Sequence, residues 1–200
     1  FSRIFGLGRC AIGAIIIGTL AGFPIGARMA AQEYELGSLS KAEAERAVII
    51  SSTPSLAFVV SGVGGGMIGD TGIGLVLYIS VLAASLIYGF LTRRESIPGV
   101  ENIKTRRRVD LARSISSAAV ACLGIVISVT LFSVISGILC EVIKSNKILS
   151  LILPFIEVST SCSRLCEFGG VSSLILIAFA LGFSGISVHM QIRSALANTD

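Results

Sequence analysis

The sequence predicts an all-α membrane protein, built as an inverted repeat of a re-entrant hairpin plus a broken transmembrane helix. The first observation is composition. Of the 200 residues, 53% are hydrophobic and 14% are charged, and the mean hydropathy is +0.88, which is typical of bilayer proteins. The second is that several apolar runs approach the length of about 20 residues that a helix needs to cross a membrane. The third is that Pro, Gly and hydroxyl residues interrupt these runs in two matching pairs.

Four segments are predicted as membrane spans, and two shorter apolar runs are predicted as the entering limbs of hairpins. The first limb is Ile4 to Ala21, and the second is Ile148 to Phe155, which Pro154 and a polar stretch end. The predicted organisation is a first repeat at 1–91 (hairpin 1–46, spans 47–69 and 72–91), a linker at 92–113, and a second part at 114–200 (span 114–140, hairpin 148–168, span 171–190).

Seven basic residues in the linker predict the orientation of the chain. Lys and Arg are enriched in cytoplasmic loops, so we place residues 92–113 in the cytoplasm and residues 141–147 on the opposite side. The first hairpin then enters and leaves on the inner side, and the second on the outer side. The two units are therefore inverted copies, which is a signature of secondary transporters. The basic residues are Arg93, Arg94, Lys104, Arg106, Arg107, Arg108 and Arg113.

The chain offers little for catalysis, metal binding or nucleic-acid binding. Its five Cys are odd in number and form no CxxC, so they indicate neither a zinc site nor a disulfide framework. One His with scattered carboxylates suggests no metal cluster, and neither GxxxxGKS/T nor GxSxG occurs. The net charge of +4 is concentrated in the linker, where it indicates topology. We therefore expect no enzyme, no metal, no cofactor and no nucleic-acid partner.

Four interruptions contain the candidate binding residues. An unpaired backbone group in hydrocarbon costs several kcal/mol, so a break persists where protein, water or a ligand replaces the lost bonds. Helix N-termini at such breaks have free N–H groups, which suit an anionic ligand. In chain order the interruptions are GFPIGA, SSTPS, EVSTSCS and GFSGIS. The candidate substrate-binding residues are Pro24, Gly26, Arg28, Ser52, Thr53, Pro54, Ser55, Glu157, Ser159, Thr160, Ser161, Ser184, Gly185, Ser187 and Gln191.

Structural roles are alternatives for several of these features. Gly is common where transmembrane helices pack, so the GVGGGMIG stretch at 62–69 favours close helix packing over a phosphate loop. A single Pro often bends a helix without any further role, whereas four breaks in two matching pairs favour a function. Glu157 either binds a coupling cation or a proton, or lies at the solvated mouth of the hairpin. His189 and Gln191 are alternatively capping groups at the membrane surface.

The chain resembles the sporulation integral membrane proteins of the YlbJ (SpoVV) type over essentially all 200 residues. The motifs are GFPIGA, SSTPSLAFVVSGVGGGMIG, FIEVSTSCS and LGFSGISVHMQ, in this order. The resemblance implies a Gate, or nucleoside-recognition, domain and a fold like that of concentrative nucleoside transporters, with ligands between two opposed hairpins and two unwound helices. It also implies transport of dipicolinic acid from the mother cell across the outer forespore membrane. Members are longer at the N-terminus, so we expect this chain to be a fragment.

The leading interpretation is a multi-pass protein of the bacterial cell membrane that transports a small organic anion by alternating access, coupled to Na⁺ or H⁺. Arg28 and Arg164 each follow a tip residue, Pro24 or Thr160, by four positions, and either pair with substrate carboxylates or lie at the solvated hairpin flanks. One alternative is an ion-coupled nucleoside transporter, and another is a non-transporting membrane assembly subunit. The expected partners are the anion and the lipid bilayer, and homo-oligomer formation stays open.

Overall fold

The computed structural model describes residues 5–93 and 111–196, and the regular elements in these ranges are helices. The all-helical prediction is therefore confirmed. The predicted cytoplasmic linker lies mostly outside the described residues, which exclude 94–110. The first range contains α1 (Arg9–Ala21), α2 (Ile25–Glu35), α3 (Lys41–Ser51), α4 (Ala57–Ile68) and α5 (Thr71–Leu91). The second contains α6 (Leu111–Val142), α7 (Asn146–Ile156), α8 (Val158–Phe168), α9 (Gly170–Phe183) and α10 (Gly185–Leu196).

Helices α1, α2 and α3 pack against one another, and α4 packs against α5. Glycines permit the close approach, since a Cβ on Gly26 would lie 2.5 Å from the Cβ of Ser51. Between α4 and α5, a Cβ on Gly64 would lie 2.6 Å from the Cα of Gly74. The glycine-rich stretch at 62–69 thus contributes to helix packing, which is the role that its composition favoured.

The predicted span at 47–69 is divided between α3 and α4, with the interruption at the SSTPS stretch. A capping box starts α3, because Ser40 Oγ accepts from Glu43 N–H at 3.3 Å while Glu43 Oε2 accepts from Ser40 N–H at 3.1 Å. Residues 52–55 are not helical, and α4 then has π-helical geometry. Such π-helices are rare and often occur at functional sites.

The second half of the chain repeats this arrangement. Helices α7, α8 and α9 pack against one another as α1, α2 and α3 do, and α10 follows α9 after the single non-helical residue Ser184. Helix α6 packs against α7, α8 and α10. We call α1 to α4 the first unit and α7 to α10 the second unit.

The two units contact each other through two matching helix pairs. Helix α2 packs against α10, and α8 packs against α4. The apolar core of the second contact includes Val59 and Val63 from α4 with Cys162 and Leu165 from α8. The junction between the units is therefore well packed. The two chain breaks lie directly before α4 and α10, which both take part in this junction.

Three helical segments are long and apolar enough to cross a membrane, namely Thr71–Leu91, Ala118–Val142 and Gly170–Leu196, the last of which comprises α9 and α10. They correspond to three of the four predicted spans. The Ala118–Val142 segment buries none of its most apolar 18-residue stretch within the protein, as expected for a helix that faces lipid. These features support a membrane protein.

Candidate functional site

The first hairpin tip lies against the first helix break. Between α1 and α2, Gly22 has a φ of 83°, and the Phe23–Pro24 peptide bond is cis. The N–H of Phe23 donates to the Thr53 carbonyl at 3.1 Å. A Cβ on Gly22 would lie 2.6 Å from Ser55 N, so this contact requires glycine for its space as well as for its backbone angle.

Pro54 interrupts the segment after α3 and removes a backbone hydrogen bond. A side-chain hydroxyl from α5 replaces that hydrogen bond. Proline has no N–H, so the carbonyl four residues earlier, at Ile50, loses its helical partner. Ser85 of α5 donates to that carbonyl at 2.7 Å. Within the break, the Ser52 hydroxyl donates to the Val48 carbonyl at 2.6 Å. Side chains therefore replace backbone bonds that a continuous helix would make.

The same replacement occurs at the end of α1. The Thr19 carbonyl would accept from the Phe23 N–H in a continuous helix, but that N–H bonds to Thr53. Tyr78 of α5 donates its hydroxyl to the Thr19 carbonyl at 2.8 Å instead. Neither Tyr78 nor Ser85 was among the residues that the sequence indicated. The signal that points to Ser85 is Pro54, because the carbonyl it frees needs a donor from another helix.

Glu157 caps helix α8 at the second tip. Its side chain is 1% exposed, and its two carboxylate oxygens accept from the N–H groups of Ser159 at 2.8 Å and Thr160 at 2.6 Å. Free N–H groups and the helix dipole stabilise a carboxylate in this position. The helix N-terminus that we expected to receive an anionic ligand at this tip therefore holds the chain's own anion.

The second break lies against the second tip. Ser184 has a φ of 68° and Gly185 follows with a φ of 69°. A Cβ on Gly185 would lie 2.9 Å from the carbonyl oxygen of Ile156 and 3.1 Å from Glu157 N. Each unit therefore has its hairpin tip in contact with the break in its own helix. That the two tips face one shared binding site stays a prediction.

Two buried hydroxyls at these junctions have no hydrogen-bond partner among the residues that the structure describes. They are Thr53 Oγ1 in the first break and Ser161 Oγ in the first turn of α8, with 3% and 0% of each residue exposed. Leaving a buried hydroxyl unpaired costs about 1–3 kcal/mol, so each such group needs an explanation. These hydroxyls are candidates for direct contact with a ligand, one in each unit.

The two arginines behind the tips lie in different environments. Arg28 is half-buried in the first turn of α2, and its backbone N–H donates to the Pro24 carbonyl at 3.0 Å. Arg164 is exposed, and its Nη1 lies 3.2 Å from Glu167 Oε2. Arg164 therefore lies at the solvated flank of its hairpin, which is one of the two roles that its spacing left open.

The remaining predicted residues lie along the second break and the first tip. Gln191 is buried and donates from Nε2 to Ser187 Oγ at 3.4 Å, so it belongs to the packed interior rather than to the membrane surface. Ser128 of α6, also missed, donates to the Ser187 carbonyl at 3.3 Å. Ser184 donates its hydroxyl to the Leu181 carbonyl at 3.0 Å. Pro24, Gly26, Pro54 and Gly185 are buried backbone positions of the site.

Hydroxyls and backbone groups make up most of the site, and Arg28 and Glu157 are its charged members. Within residues 5–93 and 111–196, no group of three or more His, Cys, Asp or Glu side chains is placed to hold a metal ion. This arrangement suits hydrogen bonding to a small polar or anionic ligand.

Comparison with known proteins finds a similarity to the sporulation integral membrane protein YlbJ of Bacillus subtilis (strain 168). The two sequences are 25% identical over an alignment of 232 positions, which covers 93% of this chain and 57% of YlbJ. The chain thus spans little more than half the length of this relative. No protein-family model matches the chain, and no solved structure matches it. The similarity confirms the resemblance to YlbJ-type sporulation integral membrane proteins that the motifs indicated.

Proposed function

We propose that the chain forms the core of a secondary transporter for a small organic anion and performs no chemical conversion. The proposed substrate is dipicolinic acid, moved from the mother cell toward the forespore by alternating access. The protein would cross the outer forespore membrane several times, with both hairpins re-entrant and the fold similar to that of concentrative nucleoside transporters. The proposal rests on the site geometry and on the resemblance to YlbJ-type proteins.

The observation that carries this proposal is the pair of buried, unpartnered hydroxyls, Thr53 Oγ1 and Ser161 Oγ. One belongs to each unit, and each lies where a hairpin tip and a helix break meet. Carboxylate oxygens accept hydrogen bonds from hydroxyls. A small carboxylate bound between the units would supply the missing acceptors to both groups, and it would leave them unpaired again when it departs.

The pattern of helix contacts supports an inverted repeat. Helices α1 to α4 match α7 to α10 in order, each set comprising two hairpin limbs and two halves of a broken helix. The contact between α2 and α10 is the counterpart of the contact between α8 and α4. Alternating access in such folds is a rocking of one repeat against the other around a central site.

The charges of the site suggest how substrate and ion are coupled. No side chain caps α2, so the N–H groups of its first turn, with Arg28 nearby, favour an anion at the first tip. At the second tip, the Glu157 carboxylate would repel one carboxylate of the substrate by about 4 kcal/mol at about 4 Å and an effective dielectric constant of about 20. A Na⁺ or H⁺ that binds at Glu157 together with the substrate removes this repulsion and couples the two movements.

Uptake by purified protein in liposomes tests the proposal. Labelled dipicolinate is offered under a Na⁺ gradient, a pH gradient or neither, with labelled uridine as the competing substrate and protein-free liposomes as background. We expect saturable dipicolinate uptake that one of the gradients accelerates, and no uridine uptake. Gradient-driven uridine uptake alone would instead favour a nucleoside transporter, and the absence of any uptake would favour a non-transporting membrane subunit.

A further inference from the structure

A cavity of about 220 Å³ lies away from the chain breaks, between the end of α6, the start of α7 and the last turn of α8. Its wall begins at Cys140 of α6 and continues through Lys144 in the loop that follows. Arg164, Glu167 and Phe168 of α8 form the facing wall. The proposed transport site does not use this cavity, which lies at the base of the second hairpin rather than at its tip.

The cavity lies at the end of an apolar helix that is long enough to cross a membrane. The apolar segment of α6 ends at Val142, and the cavity spans this boundary because both Cys140 and Lys144 line it. Basic side chains just beyond an apolar span are where lipid headgroups are found, and basic pockets between transmembrane helices bind anionic ones. This position holds for either orientation of the chain in the bilayer.

The lining combines two cations with apolar walls. Lys144 is exposed, and Arg164 uses Nη1 for its 3.2 Å contact with Glu167, which leaves other N–H groups of its guanidinium fork available. Leu149 and Phe168 form apolar surface beside these charges. A lipid presents this same combination, a phosphate next to apolar acyl chains, whereas free inorganic phosphate has no apolar part to contact Leu149 and Phe168.

A buried polar group lies one helical turn from a residue that lines the cavity. Ser136 is 0% exposed, and its Oγ has no hydrogen-bond partner among the described residues. It precedes Cys140 by four positions on α6, which places the two residues on the same face of the helix, one turn apart. A hydroxyl without a partner among the described residues therefore lies one turn from the lining residue Cys140 and outside the cavity wall.

We propose that the cavity binds the phosphate of an anionic phospholipid. Lys144 and Arg164 contact the phosphate oxygens, and Glu167 holds the Arg164 guanidinium in place while lowering the net positive charge of the site. Leu149 and Phe168 contact the apolar part of the lipid. This inference is independent of the proposed transport function, because the site would bind lipid whether or not the chain moves a substrate.

Lipid retention measured by native mass spectrometry tests the proposal. The protein is incorporated into nanodiscs of phosphatidylcholine alone or mixed with phosphatidylglycerol, and the retained phosphatidylglycerol is counted after release. We expect Lys144→Gln and Arg164→Gln each to lower retention by about tenfold, because each removes a charge-assisted hydrogen bond to the phosphate. The control is Lys147→Gln, which removes the same charge from an exposed residue outside the cavity lining and is expected to change retention little.

Glu167→Gln separates lipid binding from a merely structural ion pair. Removing this carboxylate raises the positive charge of the cavity, so we expect higher phosphatidylglycerol retention, whereas a purely stabilising pair predicts lower thermal stability in both lipid mixtures and unchanged retention. Melting in pure phosphatidylcholine shows that each variant is folded. Equal retention by Arg164→Gln and Lys147→Gln would overturn the proposal. It would also be overturned if free inorganic phosphate raised the thermal stability of the detergent-solubilised protein as much as phosphatidylglycerol does.

Discussion

The Ser85 hydroxyl donates a 2.7 Å hydrogen bond to the Ile50 carbonyl, the group that Pro54 leaves without a helical donor. The bond joins α5 to the last turn of α3, directly before the first break. A donor from a neighbouring helix is what allows a proline break to persist where water is scarce. The break after α3 is therefore stabilised by α5 as well as by its own segment, and α5 belongs to the structure that supports the site.

Replacing Ser85 by Ala is expected to lower the free energy of unfolding by about 1 kcal/mol, since hydrogen bonds between membrane helices contribute about 0.6 kcal/mol on average and about 1.7 kcal/mol at most. The matched control is Ser80→Ala in the same helix, because Ser80 donates to the Val76 carbonyl of its own helix and is exposed. Denaturant unfolding in detergent micelles measures both. Equal losses for the two variants would show that the Ile50 carbonyl does not depend on Ser85.

The breaks themselves follow from local chemistry, and this is why the sequence predicted them. Proline removes an N–H wherever it occurs, so Pro54 predicts an interruption without any knowledge of the fold. The turns at Gly22 and at Gly185 have positive φ angles, which glycine adopts at little cost. These features depend on a few adjacent residues, and a sequence displays them directly.

The partners of the breaks depend on long-range packing, and the sequence did not reveal them. Tyr78 and Ser85 lie in an apolar helix, and only the fold shows which carbonyls they reach. Glu157 was predicted as a carboxylate within the membrane, but its capping of α8 was missed because Ser, Thr, Asp and Asn are the usual residues at that position. Spacing from a tip left two roles open for Arg164, because it does not fix the direction of a long side chain.

Gly26→Ala is expected to destabilise the protein strongly. A Cβ at this position would lie 2.5 Å from Ser51 Cβ and 2.7 Å from Gly18 Cα, so the helices must separate, and overpacking of this kind costs about 1–3 kcal/mol or more. The control is Gly13→Ala in α1, which meets nothing within 4 Å and gains the helix propensity of alanine, worth up to about 1 kcal/mol. The midpoint of thermal unfolding in detergent measures both changes, and an equal effect would contradict the close packing.

Glu157→Gln tests the coupling role of the buried carboxylate. The amide keeps the shape and one acceptor oxygen but removes the charge, so we expect the variant to insert and to bind substrate while losing gradient-driven uptake. Liposome uptake with and without Na⁺ and pH gradients, together with equilibrium binding of dipicolinate, measures the two properties separately. Uptake at the wild-type rate with unchanged pH and Na⁺ dependence would leave Glu157 with only its capping role at α8.

The orientation of the chain is tested by labelling single cysteines placed at positions 104 and 146. Position 104 lies in the basic linker, outside the described residues, and position 146 starts α7. The positive-inside rule predicts that a membrane-impermeant thiol reagent modifies position 146 in intact cells and position 104 only after permeabilisation. The background has the five native cysteines replaced. The reverse pattern would invert the topology of both units.

Thr53→Val and Ser161→Ala are expected to separate substrate binding from stability. Each change removes a buried hydroxyl that has no partner among the described residues, so the substrate-free protein should keep its stability or gain up to about 1–3 kcal/mol, the cost of an unsatisfied buried group. If the carboxylate supplies the missing acceptor, each variant should lose about 0.5–1.5 kcal/mol of binding free energy, which is the net contribution of a typical hydrogen bond. This loss corresponds to about two- to twelvefold in affinity. Thermal unfolding of the substrate-free protein and dipicolinate titration measure the two quantities on the same preparation, with Ser80→Ala as the control for both. Lower stability with unchanged affinity in both variants would assign these hydroxyls to internal structure and remove the main support for a ligand between the two units.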